Sequence, residues 1–156
     1  MPTLVHEFDY NAPLPLIKDV GASPVSHRVI VTASGGEAAG DRLKGSFVGA
    51  GGDWLVIGGD GYGRLDVRLT LETVDGAIIY FQYLGLVELT PQIVGILGGA
   101  DDSADFGAQY FFTNPRLETS DERYAWVNTT MFVGQGRLVA GPAVEYQVFR
   151  VQNASA

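Results

Sequence analysis

The stretch that most restricts what this chain can fold into runs from Arg64 to Tyr83. Its even positions begin Arg64, Asp66, Arg68, Thr70 and Glu72, and its odd positions begin Leu65, Val67, Leu69 and Leu71. Strict alternation of this kind is the period of a β-strand whose two faces meet different surroundings. Val74-Asp75-Gly76 follows, and then Ala77 to Tyr83, a run of β-branched and aromatic residues. Two strand patterns around a short Asp-Gly turn make a β-hairpin.

The loop length follows from face chemistry. A two-residue loop would set Leu71 opposite Tyr80 and Arg68 opposite Tyr83, which mixes polar and apolar groups on both faces. A three-residue loop pairs Leu69 with Phe81, Leu71 with Ile79 and Val67 with Tyr83 on one face. On the other it pairs Arg68 with Gln82 and Thr70 with Tyr80. A one-residue slip moves every side chain to the opposite face, so the cleaner sorting selects the three-residue loop. That loop also puts Gly76 at the left-handed position of a type I turn with a G1 bulge. Arg68, Thr70, Tyr80 and Gln82 then share one surface, with cross-strand neighbours about 5 Å apart. Two readings of that surface stand open: the solvated side of a hairpin, or a set of groups able to hold and polarise an oxygen-rich small molecule.

The chain of 156 residues suits one domain with a sizeable core, here taken as 1–156. Lys plus Arg number 10 against 18 Asp plus Glu, for a net charge of -8. An acidic balance argues against nucleic acid or an anionic membrane surface as partner. The absence of cysteine excludes thiol catalysis, thiolate metal sites and disulfides. No apolar run is long enough for a spanning helix and no basic-then-apolar leader opens the chain, so a cytoplasmic protein without a membrane segment is expected. Neither a cofactor nor a metal is expected. Asp101, Asp102 and Asp105 form an acidic loop that lacks the EF-hand spacing and its closing glutamate.

Along the rest of the chain, strands are expected at Thr3–Tyr10, Val25–Thr32, Arg42–Val48, Ala108–Thr113, Tyr124–Val133 and Val144–Val151. Asn11–Pro24, with three prolines, reads as connecting turns or an edge strand. Gly49 to Gly52 reads as a bend at a sheet corner, with Asp53 and Trp54 just behind it. Only Thr90–Leu97 suits a short helix or turn, with Pro91 at its first position. His6, His27 and Arg28 read as structural or surface groups. Eight to ten strands in so short a chain favour closure, so the expected fold is all-β: a closed antiparallel β-barrel with little helix and room for one small ligand.

Several segments resemble the domain-of-unknown-function family 3237. They are GGDW (51–54), RLDVRLTLET and DGAIIY within 64–80, YLG (83–85), RLETSDERYAWVN (116–128) and the closing AVEYQVFRV (143–151). The resemblance implies a calycin-like barrel. It also implies, from members described as Michael hydratases, a lyase that adds water to the conjugated double bond of a small enone or unsaturated lactone without a cofactor. Carried onto this sequence, the catalytic groups would be Asp53 as general base, with Arg68 and Tyr80 donating hydrogen bonds to the substrate carbonyl. Trp54 and Trp126 would be apolar walls, and Thr70, Gln82 and Asn128 orienting polar groups. On this expectation Arg68 and Tyr80 point into a shared pocket with Asp53 at its rim, and the apolar face of the hairpin points outward. An outward apolar face must be covered, so a homo-oligomer is expected. The alternative is a barrel that binds a small carbonyl compound without turning it over.

Overall fold

The computed structural model describes residues 1–155. Twelve strands dominate it: β1 (Pro2–Pro13), β2 (Leu16–Ala22), β3 (His27–Ser34), β4 (Glu37–Gly40), β5 (Lys44–Phe47), β6 (Ala50–Ile57), β7 (Tyr62–Thr73), β8 (Ile78–Glu88), β9 (Phe111–Thr113), β10 (Arg116–Glu118), β11 (Phe132–Val139) and β12 (Ala143–Asn153). One short helix, α1 (Pro91–Leu97), and a 3-10 segment (Glu122–Thr129) complete the described elements. All pairings are antiparallel. Eight strands follow one another as β7-β8-β9-β11-β12-β1-β4-β5, and β5 returns to β7, which closes a ring. β6, β3 and β2 extend the wall from β7, while β10 flanks β8.

The central hairpin has the expected register. Leu69 pairs with Phe81, Leu71 with Ile79, Arg68 with Gln82 and Thr70 with Tyr80. Its loop is Val74-Asp75-Gly76; Gly76 takes φ +90° and donates its N–H to the Thr73 carbonyl, a conformation that costs glycine little.

Which face looks inward is the reverse of the expectation. Leu65, Val67, Leu69, Leu71, Ile79, Phe81 and Tyr83 are all buried inside the barrel, and the Arg68–Tyr80 face is on the outside. The reason is the size of the hydrophobic term. Burying a large apolar side chain stabilises by roughly 1.5–3 kcal/mol, and seven lie on this face. The barrel interior therefore covers the apolar face without a second copy of the chain.

Two further differences concern elements, and at Asn11–Pro24 the edge-strand alternative is the one that forms. The expected strand at Tyr124–Val133 begins only at Phe132, after the 3-10 segment. Asp121 caps that segment by accepting from the Arg123 N–H at 2.9 Å, and the Asn128 amide is tied to the Thr119 backbone through both its oxygen and its nitrogen. Within Asn11–Pro24 the chain forms an edge strand, β2, paired to β3 with a register shift between Asp19 and Gly21. The Gly49–Gly52 bend lasts only to Ala50, where β6 begins.

A dense aromatic cluster fills the interior. Tyr10 stacks on Tyr146 with ring centroids 4.7 Å apart and meets Phe81 edge-on at 5.0 Å. Tyr83 contacts both Tyr10 and Tyr146, at 6.1 and 5.5 Å. Such pairs add to area burial by about 0.5–1.5 kcal/mol each. Tyr146 fits because its cross-strand partner is Gly136: a Cβ there would lie 2.7 Å from the rings of both Tyr146 and Phe111.

Candidate functional site

The interior is not filled to its end. A chamber of about 50 Å³ remains, lined by Val31, Leu55, Leu65, Val67, Val87, Leu138 and Val144, among others, and by Ile93 and Leu97 of α1. The same lining contains three polar side chains: Asp53, Tyr83 and Tyr146. The free volume exceeds the roughly 10–15 Å³ that a single water needs, so the space suits a few waters or the reacting end of a small molecule.

Local backbone geometry delivers Asp53 to this chamber. On β6, Asp53, Leu55 and Ile57 alternate inward against the exposed Trp54. The β6–β7 ladder lapses between the Asp53–Val67 and Val56–Arg64 pairs. There the Asp53 carboxylate stands in for a backbone acceptor, its Oδ1 taking the Asp66 N–H at 2.9 Å, while the freed Trp54 carbonyl accepts from Arg28 at 2.9 Å. Oδ2 makes no protein hydrogen bond among the described residues. Burial pushes the Asp53 carboxyl up to about 7, against the opposing pull of the Asp66 N–H.

Two phenols complete the lining, and a third, Tyr10, stacks on Tyr146 beside them. Burial raises the pKa of Tyr10, Tyr83 and Tyr146, and the Asp53 charge adds to the rise at Tyr83 and Tyr146, so all three stay protonated donors at neutral pH. The hydroxyls of Tyr10 and Tyr146 are buried with no hydrogen bond of good geometry, their nearest polar neighbour being the Tyr83 hydroxyl, which is close enough for the three to shift one another's titration. A buried hydroxyl left without a good partner costs about 1–3 kcal/mol.

The structure brings the expected site residues into two groups rather than one. Asp53 alone faces the chamber. Arg68 and Tyr80 share a face, as their alternation required, but it is the outer one: the Arg68 side chain is 50% exposed and Tyr80 is 41% exposed. Arg68 lies over the exposed Trp54 ring at 5.7 Å, with Asp66 at 3.7 Å. Thr70 is exposed beside Tyr80. Tyr80, Gln82 and Asn128 line an open outer groove with Arg116 and Glu118. Trp126 packs on the core from outside, with the Arg42 guanidinium stacked 3.8 Å above it. Arg68 and Tyr80 therefore cannot share a pocket with Asp53, because the sheet itself separates them.

The three phenols are the residues that sequence reasoning passed over. The available signal was a tyrosine on the apolar side of a strand. Tyr83 falls opposite Val67 in the hairpin, Tyr10 is in phase with Phe8, and Tyr146 with Val144 and Val148.

Among the described residues no cluster of three or more His, Asp or Glu side chains could hold a metal ion, and no helix is long and apolar enough to cross a membrane.

A family model described as a protein of unknown function (DUF3237) matches residues 2–151. A UPF0311 protein of Rhodopseudomonas palustris is 29% identical over 139 residues, covering 85% of this chain and 88% of that protein. Among solved structures, a conserved protein of unknown function from Rhodopseudomonas palustris superposes with a TM-score of 0.83 at 27% identity, over 97% of this chain and 100% of the other. A β-barrel-like protein from Acinetobacter baumannii gives 0.79 at 27% identity, over 97% of each chain. A structure described as an enzyme from Penicillium herquei gives 0.70 at 20% identity, over 97% of this chain and 95% of the other, and shares the fold.

Proposed function

The chain belongs to the DUF3237 family, and from that premise and the make-up of its interior we propose that it is a cofactor-independent hydratase acting on a small α,β-unsaturated carbonyl compound held inside the barrel. The observation that carries the reading is one chamber holding a carboxylate with a free oxygen beside protonated phenols. The description of the Penicillium herquei structure as an enzyme is consistent with it.

The roles follow from protonation state. Asp53, ionised, takes a proton from water as the oxygen bonds to the β-carbon and the double-bond electrons move to the carbonyl oxygen. Tyr146 and Tyr83 donate hydrogen bonds to the enolate oxygen that develops. Protonated Asp53 then returns its proton to the α-carbon, which completes the hydration. A carboxyl whose pKa is near the working pH is suited to both steps, and a well-placed acid–base group contributes about 10²–10⁴-fold. Each donor to the developing oxyanion is worth about 10²–10³-fold. Asp53 thus keeps the general-base role expected of it, while the carbonyl donors are drawn from Tyr83 and Tyr146 in place of the outward Arg68 and Tyr80.

The test is turnover of unsaturated lactones and cyclic enones in oxygen-18 water. Label at the β-position of the product supports the reading. Saturable binding with no labelled product across the panel would make the protein a small-molecule-binding barrel.

A further inference from the structure

The chamber is defined as much by the charge it lacks as by the groups it holds. Of its 17 lining residues only Asp53 ionises near neutrality; two are phenols and the rest are aliphatic or phenylalanine. No arginine, lysine or histidine reaches it. Arg68 is on the outer face of β7, Arg28 is engaged with the Trp54 carbonyl at 2.9 Å, and Arg64 is held outside by Asp60 at 2.7 Å. A carboxylate or phosphate entering this space would lose its hydration and gain no counter-charge, and it would stand beside a like charge.

We propose that the chamber selects uncharged, predominantly apolar carbonyl compounds and rejects anionic ones, with Asp53 acting as the rejecting charge as well as the base. This rests on the hydratase reading and narrows its substrate class. Unsaturated acids, phosphorylated enones and acyl thioesters with an anionic carrier inside the barrel are excluded. The accepted molecule presents one carbonyl oxygen to the Tyr83 and Tyr146 hydroxyls and carries hydrocarbon against Leu55, Val67, Val87 and Val144. Discrimination comes from a penalty against the wrong ligand and needs no added contact to the right one. A reaction that removes or never installs an ionised handle must therefore supply the substrate.

The experiment compares 2-cyclopenten-1-one with its 4-carboxylate at pH 8, followed through the methyl resonances of Ile93, Leu97 and Val144 in the labelled protein. These three residues report the chamber and not the arginine-bearing outer face. The neutral ketone is expected to shift the methyls saturably. The carboxylate is expected to bind there about 100-fold more weakly or not at all, with the gap narrowing in Asp53→Asn. Equal binding of the two, or no shift with the neutral ketone up to its solubility limit, would overturn the proposal. Saturable shifts with the ketone but no hydrated product would leave the charge selection standing and remove the hydratase reading alone.

Discussion

Asp53 is a group whose environment opposes its charge. Its carboxyl is held up to about 7 against an ordinary value of 3.8. A raised acid binds its proton more tightly in the folded state, so between those two values folding loses stability as pH rises. The full difference corresponds to about 2–4 kcal/mol once residual solvation through the chamber is allowed for. Asp53→Asn is expected to flatten that pH dependence and to be the more stable protein at pH 8, as measured by urea unfolding at pH 5 and pH 8. A variant that loses stability equally at both would show that the carboxylate is needed for the Asp66 N–H. Tyr146→Phe removes a buried hydroxyl that has no good partner, so stability should hold or rise while turnover falls by about 10²–10³-fold; a fall in both would assign Tyr146 to packing. The sequence made Asp53 visible because it follows a glycine bend and precedes a tryptophan. It concealed the phenols, because a tyrosine in phase with valines looks like any other core residue until the hydroxyl is seen to lack a good partner.

At the level of elements, the hairpin was legible because three independent constraints agreed: alternation on β7, sorting across β8 and a glycine where φ must be positive. β2 was harder to read, since prolines on either side of it resemble a connecting loop and its exposed Leu16 and Val20 carry no clean alternation. The 3-10 segment defeated periodicity altogether: Trp126 and Asn128 mimic one face of a strand, and only the capping Asp121 and the Thr119–Asn128 bonds break it. On β11 the decisive feature is an absence of side chain. Gly136→Ala would drive a methyl to within 2.7 Å of two rings, a form of overpacking that costs about 1–3 kcal/mol. Chemical denaturation should report that loss, and turnover should fall further than stability requires because the Tyr146 hydroxyl moves. A neutral substitution would mean that the cluster has slack. α1 bounds one side of the chamber. It spans only seven residues, runs from the Thr90 cap into Gly98 and Gly99, and contributes Ile93 and Leu97 to the lining.

For the whole molecule, closure was legible from the number of short strands, and eight strands do close. What the alternation could not say was which face looks in. A two-faced strand is equally compatible with a polar-lined and an apolar-lined barrel; the choice is settled by the sum of apolar side chains from all the strands, and here each ring strand contributes buried apolar residues to the interior, although β8 also leaves Ile78, Leu84 and Leu86 exposed outside. The closed wall is also stitched from outside. Glu7, nearly fully buried on β1, accepts from Arg42 at 2.7 Å and from Arg150 on β12. Burial pushes its carboxyl up, but the two guanidiniums outweigh that and hold it below the usual range. A lowered acid stabilises the fold above its unfolded pKa and ceases to do so as pH falls through its folded value. Glu7→Gln should therefore cost about 1–3 kcal/mol at pH 7, with the deficit shrinking below pH 4, since breaking one side of a buried pair strands its partners. Thermal melts across that range would check it, and a constant deficit would point to packing in place of charge.

The most direct measurement is the pH–rate profile for hydration of a neutral cyclic enone by the wild-type protein and by Asp53→Asn. The interior carboxylate predicts a rate that rises with pH and levels off above about 7, and a loss of about 10²–10⁴-fold in the variant at every pH above that point. A rate that survives in Asp53→Asn, or one that falls instead in Arg68→Lys and Tyr80→Phe, would place the chemistry on the outer face and contradict a working site inside the barrel.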